Sequence, residues 1–233
     1  VLGDDSTQAE AIDGVEIPFQ RHAGVQEEDG IHEWSAERHI VPASVTLTSY
    51  DFKSPWPKTV EVPTRNIQGR VLRKEAYEYA GAYGFKDRQA GDLLATQRME
   101  EFEHAGKFFE AAGNNRNVVP GRWFRLTDHF EGGSKDECEF LIIDTHHSAS
   151  NNYHVNNGIA PHYGNRFTCI RKLIPWRPGR GFNSVEPKIY GLQTATVVGP
   201  KGEEIHTDEY GRVKVQFHWD RDGEFDERSS AWL

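Results

Sequence analysis

A strict alternation of side chains near the C-terminal end constrains the fold of this chain more than any other feature. From Arg212 to Trp219 every second residue is apolar and the residues between are polar; the apolar set is Val213, Val215, Phe217 and Trp219. A period of two puts the two sets on opposite faces of a β-strand, so the pattern predicts a strand with one buried face. The run Thr194–Val198 predicts a preceding strand that Gly199-Pro200 ends, and the run 220–223 predicts a turn after the second strand.

The same region resembles a known family at many positions of fixed spacing. The matching runs are Gly191–Ala195, Val198–Pro200, Glu203–Ile205, Thr207-Asp208, Gly211–Phe217, Trp219–Arg221 and Ser229–Trp232. They resemble the valine–glycine repeat protein G (VgrG) family of type VI secretion, which is related to the hub and spike of contractile phage tails. The resemblance implies a structural or assembly role for Gln193, Thr194, Gly199, Pro200, Glu204, Asp208, Gly211, Arg212, Val213, Lys214, Val215, Phe217, Trp219, Asp220 and Arg221.

The resemblance also implies a fold and its division into domains. We expect a β-dominated α+β fold, in which a phage-tail-hub-like β-barrel domain with one main helix is followed by the beginning of an OB-fold domain. The expected segments are an acidic segment 1–43 (the remainder of a preceding hub domain), the barrel domain 44–175, a linker 176–186, and the OB part 187–233. That last segment supplies about two strands and a third beginning at Ser230, whereas an OB barrel has five. We expect it to be incomplete, and either less ordered than the strand around Phe140 or paired with another subunit.

The implied function is mechanical. VgrG-like proteins form homotrimers whose hub caps a tube of stacked Hcp rings, and their OB domain leads into a β-helical spike that pierces a membrane. The expected partners are therefore two further copies of the chain, the Hcp tube protein, and effectors or adaptors. The target membrane would be touched only through the spike, and no nucleic acid is expected. The expected location is the bacterial cytoplasm before assembly, and the extracellular space or target cell after firing.

Composition is consistent with a polar protein that is not a general nucleic-acid binder. The 233 residues carry a net charge of -9, and mean hydropathy is -0.71. Binding to nucleic acid of any sequence depends on neutralising phosphates with Lys and Arg, which an acidic chain does poorly. No apolar run approaches the ~18 residues of a membrane-spanning helix.

The opening Val1–Asp5 has neither a signal-peptide pattern nor an initiator methionine, so we expect an internal boundary there. The two cysteines favour a reduced, cytoplasmic origin.

Upstream of residue 187 the periodicity predicts one helix among several strands. Asp92 is the expected N-cap of a helix that runs through Phe109 and Ala112 and stops at Gly113, with a solvated face that carries three glutamates. The first 40 residues have few apolar anchors, and we expect them to pack on a part of the protein outside this sequence or to be mobile. Strands are predicted at Ser44–Phe52, 123–127, Glu139–Asp144 and Asn165–Leu173.

No pattern in the chain indicates catalysis, a cofactor or a metal. His146 and His147 are adjacent and would point to opposite faces of a strand, and His32-Glu33 has alanine where a zinc motif needs its second histidine. The turn around Asp220 has part of a calcium-loop pattern, but His218 and Ser229 stand at its first and last ligand positions. Nucleophile-elbow and phosphate-loop sequences are absent. We therefore predict a protein that is not an enzyme.

Three other functions remain open at this point. A phage or pyocin-like tail baseplate hub is the nearest, because it shares the family. An OB-fold protein that binds single-stranded nucleic acid would use basic and aromatic side chains, but the basic residues Arg212 and Lys214 are predicted on the face opposite Phe217 and Trp219. A second basic cluster, Arg166, Arg171, Lys172, Arg177 and Arg180, is interpreted as a solvated strand edge and linker. A cell-wall glycosidase, which needs two facing carboxylates, ranks last.

Overall fold

The computed structural model describes residues 3, 5–20, 29–54, 56–129, 134–151, 153, 161–182, 185, 187–229 and 231–233. The chain divides into two compact units, Val1–Asn183 and Ser184–Leu233. No helix in the described ranges is both long and apolar enough to cross a bilayer. The elements of the first unit are β1 (Ala11–Pro18), β2 (Ile31–Arg38), β3 (Ser44–Tyr50), β4 (Lys58–Pro63), β5 (Glu75–Ala82), α1 (Arg88–Ala105), β6 (Lys107–Gly113), β7 (Trp123–Thr127), β8 (Glu139–Ser150) and β9 (His162–Arg171), with 3-10 turns at Ser6–Gln8 and Lys135–Cys138.

Six strands of the first unit form one curved sheet in the order β1-β7-β8-β9-β6-β2. Its pairs are antiparallel except for β1 and β7, which run parallel. The two edge strands meet at one end through a bridge between Phe19 and Ile31, so the sheet closes there into a barrel. Inward-facing side chains fill the interior: Ile12, Ile17, Ile31, Phe109, Ala111, Val118, Phe124, Leu126, Phe140, Ile142, Phe167 and Cys169.

An aromatic cluster lies at the centre of this barrel. The Trp34 ring stacks on Phe109 with centroids 5.1 Å apart and meets the edge of Phe140 at 4.8 Å. Offset and edge-to-face pairs of this kind add stabilisation beyond the apolar area that they bury. The barrel is therefore a packed core and not an open pore.

Both strands of the N-terminal segment belong to this sheet. β1 pairs with β7, and β2 pairs with β6 along its whole length. The sequence signal was weak because both strands have mostly part-exposed residues, with Ile12, Ile17 and Ile31 as their buried anchors. The expectation that these residues pack elsewhere or are mobile is wrong for β1 and β2, although the domain division at residue 43 itself stays a prediction.

The rest of the first unit is a helix packed on a small sheet. β3 is the central strand, antiparallel to β4 and parallel to β5. The buried stripe of α1 repeats every four residues through Gly91, Ala95 and Met99, and packs against the side chains of Val45, Leu47, Val60 and Phe85. The predicted strand Ser44–Phe52 is therefore confirmed as β3, which ends two residues earlier.

The predicted helix exists, but its limits were wrong at both ends. Its N-cap is Asp87, whose Oδ1 accepts from the Ala90 amide at 2.8 Å, and Gly106 ends it. The residues Lys107–Gly113, predicted as its last two turns, form β6. β6 hydrogen-bonds to β2 on one side and β9 on the other, and this pairing outweighs the helical spacing of Phe109 and Ala112.

The second unit contains a three-stranded antiparallel sheet, β10-β11-β12, formed by β10 (Ala195–Val198), β11 (Lys214–Phe217) and β12 (Ala231–Trp232). The two predicted strands and the third are present; Ser230, the expected start of the third, lies outside the described residues. Completion into an OB barrel stays a prediction.

The predicted buried face of the second strand is confirmed at Val215 and wrong at Trp219, while Val213 and Phe217 are part-buried. Only four of its residues pair as strand; Val215 is 4% exposed as expected, but Trp219 is 63% exposed. Gln216, on the predicted polar face, is 1% exposed. The reason is that the chain turns after Phe217 and the loop 220–229 folds back over the second face, covering Gln216.

Candidate functional site

The residues singled out from the sequence all lie in the second unit, and we call Gln193–Arg221 the motif segment. It comprises β10, β11 and the connection between them. Hydrogen bonds between its ends hold the entry to β10 beside the exit from β11. The Trp219 Nε1 donates to Gln193 Oε1 at 3.0 Å, and His218 Nε2 lies 3.0 Å from Thr194 Oγ1.

A turn formed by Asp208, Gly211 and Arg212 leads the chain into β11. Asp208 Oδ1 accepts from the backbone amides of Tyr210 and Arg212, both at 2.9 Å, and Asp208 Oδ2 accepts from Arg212 Nε at 2.6 Å. Gly211 has φ +77, which glycine adopts without strain. Partial burial acts to raise the pKa of Asp208, but the hydrogen bonds from Arg212 and Tyr210 outweigh it and the pKa is lowered. The Asp–Gly–Arg spacing is therefore a structural turn.

The other end of the connection, at Gly199, packs against His206. A Cβ on Gly199 would lie 2.7 Å from the Cβ of His206, so this close approach requires glycine. His206 in turn lies 3.4 Å from Glu203 Oε2 and faces the Trp232 ring at 5.3 Å. Pro200 is part-exposed and Glu204 is exposed, which leaves Glu204 available to a partner.

Basic side chains gather around the ring of Trp232. Lys214 Nζ lies 5.1 Å and the Arg212 guanidinium 5.9 Å from the ring centre, within the range of a cation–π contact. The sequence prediction placed these basic residues opposite Phe217 and Trp219 and did not include Trp232, which β12 brings to the basic residues. Arg212 is also paired with Asp208, so the cluster is not a set of unneutralised cations.

The residue that sequence reasoning missed is Gln216, which joins β11 to the following loop. Its Nε2 donates to the carbonyl of Gly223 at 2.9 Å, and its Oε1 accepts from the Phe225 amide at 2.7 Å and from Ser229 Oγ at 2.9 Å. A Cβ on Gly223 would overlap this amide, so glycine is required there too. The sequence did contain a signal for this role, because Gln216 comes shortly before a turn that contains a glycine. A side-chain amide both donates and accepts hydrogen bonds, so it can bind the amide and carbonyl groups of such a loop.

The turn that follows β11 uses Asp220 as its cap. Asp220 Oδ1 accepts from the amides of Asp222 and Gly223, both at 3.1 Å. Arg221 is exposed. These bonds are those of an Asx turn, in agreement with a turn and not a calcium loop. Within the described ranges no three His, Cys, Asp or Glu side chains are grouped to hold a metal ion.

The basic cluster in the first unit is largely neutralised by carboxylates. Arg177 Nε lies 2.7 Å from Glu100 Oε2, and Arg180 is paired with Glu78. Lys172 Nζ lies 3.4 Å from Glu139 Oε2. Such pairing reduces the positive potential that phosphate binding needs. The interpretation as a solvated strand edge and linker fits Arg180, which is exposed, whereas Arg177 and Lys172 are part-buried within their ion pairs.

The glutamates on α1 are not a solvated face either. Glu103 is 6% exposed, and its Oε1 accepts from Thr64 Oγ1 at 2.8 Å and from the Arg65 amide at 2.5 Å. Glu101 pairs with Arg98 on the same helix at 2.5 Å. These carboxylates fasten loops and neighbouring side chains to the helix, a positioning role.

One further carboxylate of the barrel carries a pKa shift. Glu139, at the start of β8, has Arg125 Nη2 at 2.8 Å as well as Lys172. Burial acts to raise its pKa, but the hydrogen bonds from these two cations outweigh it, so the pKa lies below its ordinary value. The same contact raises the pKa of Arg125.

Comparison with known proteins gives matches along the whole chain. Residues 1–153 match the family "Phage tail baseplate hub (GPD)". The type VI secretion system spike protein VgrG1a of Pseudomonas aeruginosa is 32% identical over 225 residues, which is 90% of this chain and 32% of that protein. The spike protein VgrG4b of the same organism is 30% identical and covers 100% of this chain and 30% of its own length. The chain thus spans about a third of the curated relatives that it matches.

Similar solved structures include a tail protein and a component of a type VI secretion system. One is the E. coli c3393 protein, described as a component of the type VI secretion system with structural similarity to the T4 tail proteins gp27 and gp5. It has a TM-score of 0.48 at 12% identity, and the match covers 99% of this chain and 44% of that one. A tail protein from Neisseria meningitidis MC58 has a TM-score of 0.46 at 11% identity, with coverage of 68% and 44%.

Proposed function

Because the chain belongs to the phage tail baseplate hub (GPD) family, which its first 153 residues match, we propose that it is the hub end of a VgrG-like spike in a type VI secretion system. It acts as a structural component and not as an enzyme. The proposed assembly is a homotrimer that caps an Hcp tube and delivers effectors across a target membrane. In this proposal the fifteen motif residues, which lie between Gln193 and Arg221, form the base of the spike.

One observation supports the spike over the phage or pyocin-like tail hub. The hub family match stops at residue 153, whereas the relative VgrG4b matches the whole chain, including the motif segment at residues 193–221. A hub function alone accounts for the first match. A spike base that follows the hub accounts for both, and it fits the proposed division into segments 1–43, 44–175, 176–186 and 187–233.

The physical properties of the chain suit a mechanical role. The barrel interior is filled by interlocking aromatic and aliphatic side chains, and packed interiors transmit strain because they compress little. The motif segment is likewise held by side-chain hydrogen bonds to backbone groups, at the turn before β11 and to Gly223 in the turn that follows the segment. A component of this kind passes on the force of a contraction without deforming.

The assembly can be tested in two steps. The first is the solution mass at several concentrations, where a trimer gives three times the 26.5 kDa of the chain. The second is co-sedimentation with purified Hcp tubes, where a hub binds at substoichiometric, end-limited amounts. Binding along the whole tube or no binding would contradict capping. A strict monomer would show that this length of chain does not trimerise.

The rival assignments predict different results. A phage or pyocin-like hub co-purifies with tail particles from induced cultures and leaves Hcp release unchanged when its gene is deleted. A nucleic-acid-binding protein retains single-stranded DNA at low salt and loses it steeply as salt rises. A glycosidase releases sugar from peptidoglycan. Loss of Hcp release on deletion, with none of these activities, supports the spike.

A further inference from the structure

The connection between β4 and β5, residues 64–74, is strongly basic, and we call it the basic loop. It carries four cations and no carboxylate in a chain whose net charge is -9, and the four are Arg65, Arg70, Arg73 and Lys74. All four side chains are exposed, and none of them forms an ion pair with any residue that the structure describes. The positive charge of the loop is therefore available to a partner.

The basic loop is fixed to the rest of the first unit by two side chains. Oε1 of Glu103 accepts from Thr64 Oγ1 at 2.8 Å and from the Arg65 amide at 2.5 Å. Further along, Gln68 Oε1 accepts from the Val41 amide at 3.1 Å, and Gln68 Nε2 donates to the Val41 carbonyl at 3.0 Å. A loop that is ordered before binding loses less conformational entropy when it docks. The basic loop is thus a preformed contact surface.

Two aliphatic side chains of the loop are also exposed. Ile67 is 96% exposed and Leu72 is 77% exposed. A single exposed aliphatic residue is common on protein surfaces and needs no explanation. These two occur among arginines, and arginine is enriched where apolar area is buried between proteins. The loop therefore fits contact with a protein surface that is acidic.

The outer face of the barrel has the opposite charge. Strand register aligns the side chains of β2, β6, β9 and β8 in two rows, with Ser35, Glu110, Thr168 and Asp144 in one row and Glu33, Ala112, Arg166 and His146 in the other. Residues directly opposite in adjacent strands share one face of a sheet, and so do alternate residues along a strand. The two rows line a concavity of about 350 Å³, which we call the acidic groove.

The acidic groove carries carboxylates that are not neutralised. Glu33, Glu110 and Asp144 are exposed, and in the described part of the chain none of them is in an ion pair. Arg166 is exposed as well and offsets one of these charges. Small-molecule pockets are mostly larger than this groove and are lined mainly by apolar groups. A protein surface with several cations therefore matches the groove better than a small ligand does.

The basic loop and the acidic groove of one copy do not pair with each other. Within the described residues no ion pair joins them, so both surfaces are left to pair between copies. Because they are different surfaces, a copy that inserts its loop keeps its own groove free for another copy. Such a head-to-tail contact closes into a ring when its rotation fits, whereas a surface that contacts itself gives a dimer.

We propose that the basic loop of one copy docks in the acidic groove of the next copy, and that three such contacts close the ring. The inference rests on the homotrimer of the proposed function and names the surfaces that form it. Arg70, Arg73 and Lys74 face the groove carboxylates, while Ile67 and Leu72 supply the apolar part of the contact. Because charges at an interface rim are screened by salt, the contact weakens as ionic strength rises.

Zero-length cross-linking detects this contact directly. A carbodiimide joins a lysine amine to a carboxylate that it touches, and Lys74 is the lysine of the loop. An equal mixture of unlabelled and isotope-labelled chain is cross-linked at low salt and its peptides are identified by mass spectrometry. We expect peptide pairs that join Lys74 to Glu33, Glu110 or Asp144 and that combine one labelled with one unlabelled partner. Pairs within one isotope only, or no pairs at these carboxylates, would overturn the contact.

Charge reversal tests whether the two surfaces meet. Arg70→Glu/Arg73→Glu reverses the loop, and Glu33→Lys/Glu110→Lys reverses the groove. Each should weaken self-association about 10- to 100-fold in sedimentation velocity, because like charges then face each other. The variant with all four substitutions restores opposite charges and should associate within about threefold of the original chain. Failure of this rescue would show that the loop and the groove are not partners.

The matched control is Lys86→Glu/Arg88→Glu, which changes the net charge as much as the loop variant does. Both side chains are exposed, and Lys86 lies at the opposite end of the small sheet, since its carbonyl accepts from Lys58 Nζ at the start of β4 at 2.8 Å. This variant should change self-association less than about twofold. A loss equal to that of the loop variant would assign the effect to net charge and overturn the proposal.

A milder variant covers the case in which the groove variant does not fold by circular dichroism. Arg70→Gln/Arg73→Gln changes only residues outside the strands and helices. It should still weaken self-association about three- to tenfold, because it removes two charges without reversing them. An unchanged association would overturn the contact.

The remaining outcomes separate this contact from the proposed function. A strict monomer at every concentration overturns the contact, and so does a trimer that is indifferent to all of these substitutions. If loop reversal leaves association unchanged but abolishes binding to single-stranded DNA, the partner of the loop is nucleic acid and the contact is again overturned. The spike function is judged by loss of Hcp release when the gene is deleted, so the two can fail separately.

Discussion

Replacing Gln216 by leucine should selectively unfold the second unit. The substitution keeps most of the side-chain volume but removes every polar atom that the loop 220–229 uses to attach to β11. The Gly223 carbonyl, the Phe225 amide and the Ser229 hydroxyl all lose the partner that now lies within 2.9 Å. The side chain that replaces the amide offers none of these groups a hydrogen bond.

The magnitude follows from those three groups. An unsatisfied buried donor or acceptor costs about 1–3 kcal/mol, and Phe225 and Gly223 are close enough to the surface for water to replace part of the loss, so we expect about 2–4 kcal/mol. A unit of about 50 residues has a stability on the order of 2.5–7.5 kcal/mol. The substitution should thus remove much or all of the stability of the unit.

Hydrogen exchange followed by mass spectrometry measures this region by region. At ~1.4 kcal/mol per tenfold, we expect exchange of β11 and of residues 223–229 to speed up about 30- to 700-fold. Strand β8 around Phe140 should keep its protection. The matched control is Gln193→Leu, which removes an exposed amide with one hydrogen bond to Trp219 and should change exchange less than threefold.

Two outcomes would refute the reasoning. If Gln216→Leu exchanges like the unsubstituted chain, the loop is held by something other than the glutamine amide. If Gln193→Leu is as harmful, the effect comes from disturbing the sheet as a whole. Equal acceleration in β8 would show instead that the two units do not unfold separately.

Three further predictions test the packing and charges directly. Gly223→Ala should destabilise the second unit by about 1–3 kcal/mol in denaturant unfolding, since its Cβ would overlap a buried amide, whereas Gly191→Ala, with open space around its Cβ, should be neutral. Val215→Asp should abolish protection of the second unit because it buries a charge, while Val197→Asp, at the cross-strand partner of Val215 whose own side chain is 64% exposed, should not; equal effects would show that Val215 is not in a core. Glu139→Gln should lower stability at pH 7, and the difference should vanish as pH falls from 4.5 through the lower folded-state pKa, because a depressed carboxylate pKa stabilises only above it; a pH-independent difference would contradict the ion-pair origin.

Local features of the sequence predicted the local features of the fold. The runs before Gly199-Pro200 and around Val215 form the two predicted strands, and the turns at Gly211 and Gly223 lie where glycine stands. Fixed spacing of motif residues was enough to indicate the family. These features can be predicted from the sequence because the alternation of a strand, a turn and the need for glycine each depend on a few neighbouring residues.

Tertiary structure determined which secondary structure formed, and which side chains became buried, where the local sequence pattern indicated something else. Lys107–Gly113 has a helical spacing but became β6, because two strands from distant parts of the chain supply its backbone hydrogen bonds. Gln216 was assigned to solvent by its period of two, and a loop folding back from residue 223 buried it.

For the candidate site too, the sequence determined some features and the tertiary structure determined the others. The sequence by itself determined which residues form the motif segment, since their types and spacing suffice to match the family. The fold alone determined what these residues touch, since Trp232 joins the basic residues Arg212 and Lys214. In the first unit it likewise determined that Glu100 and Glu78 neutralise Arg177 and Arg180. Alternation along one strand gives the direction of a side chain, whereas its burial and its partners depend on segments far away in the sequence, and only the folded chain brings those segments together.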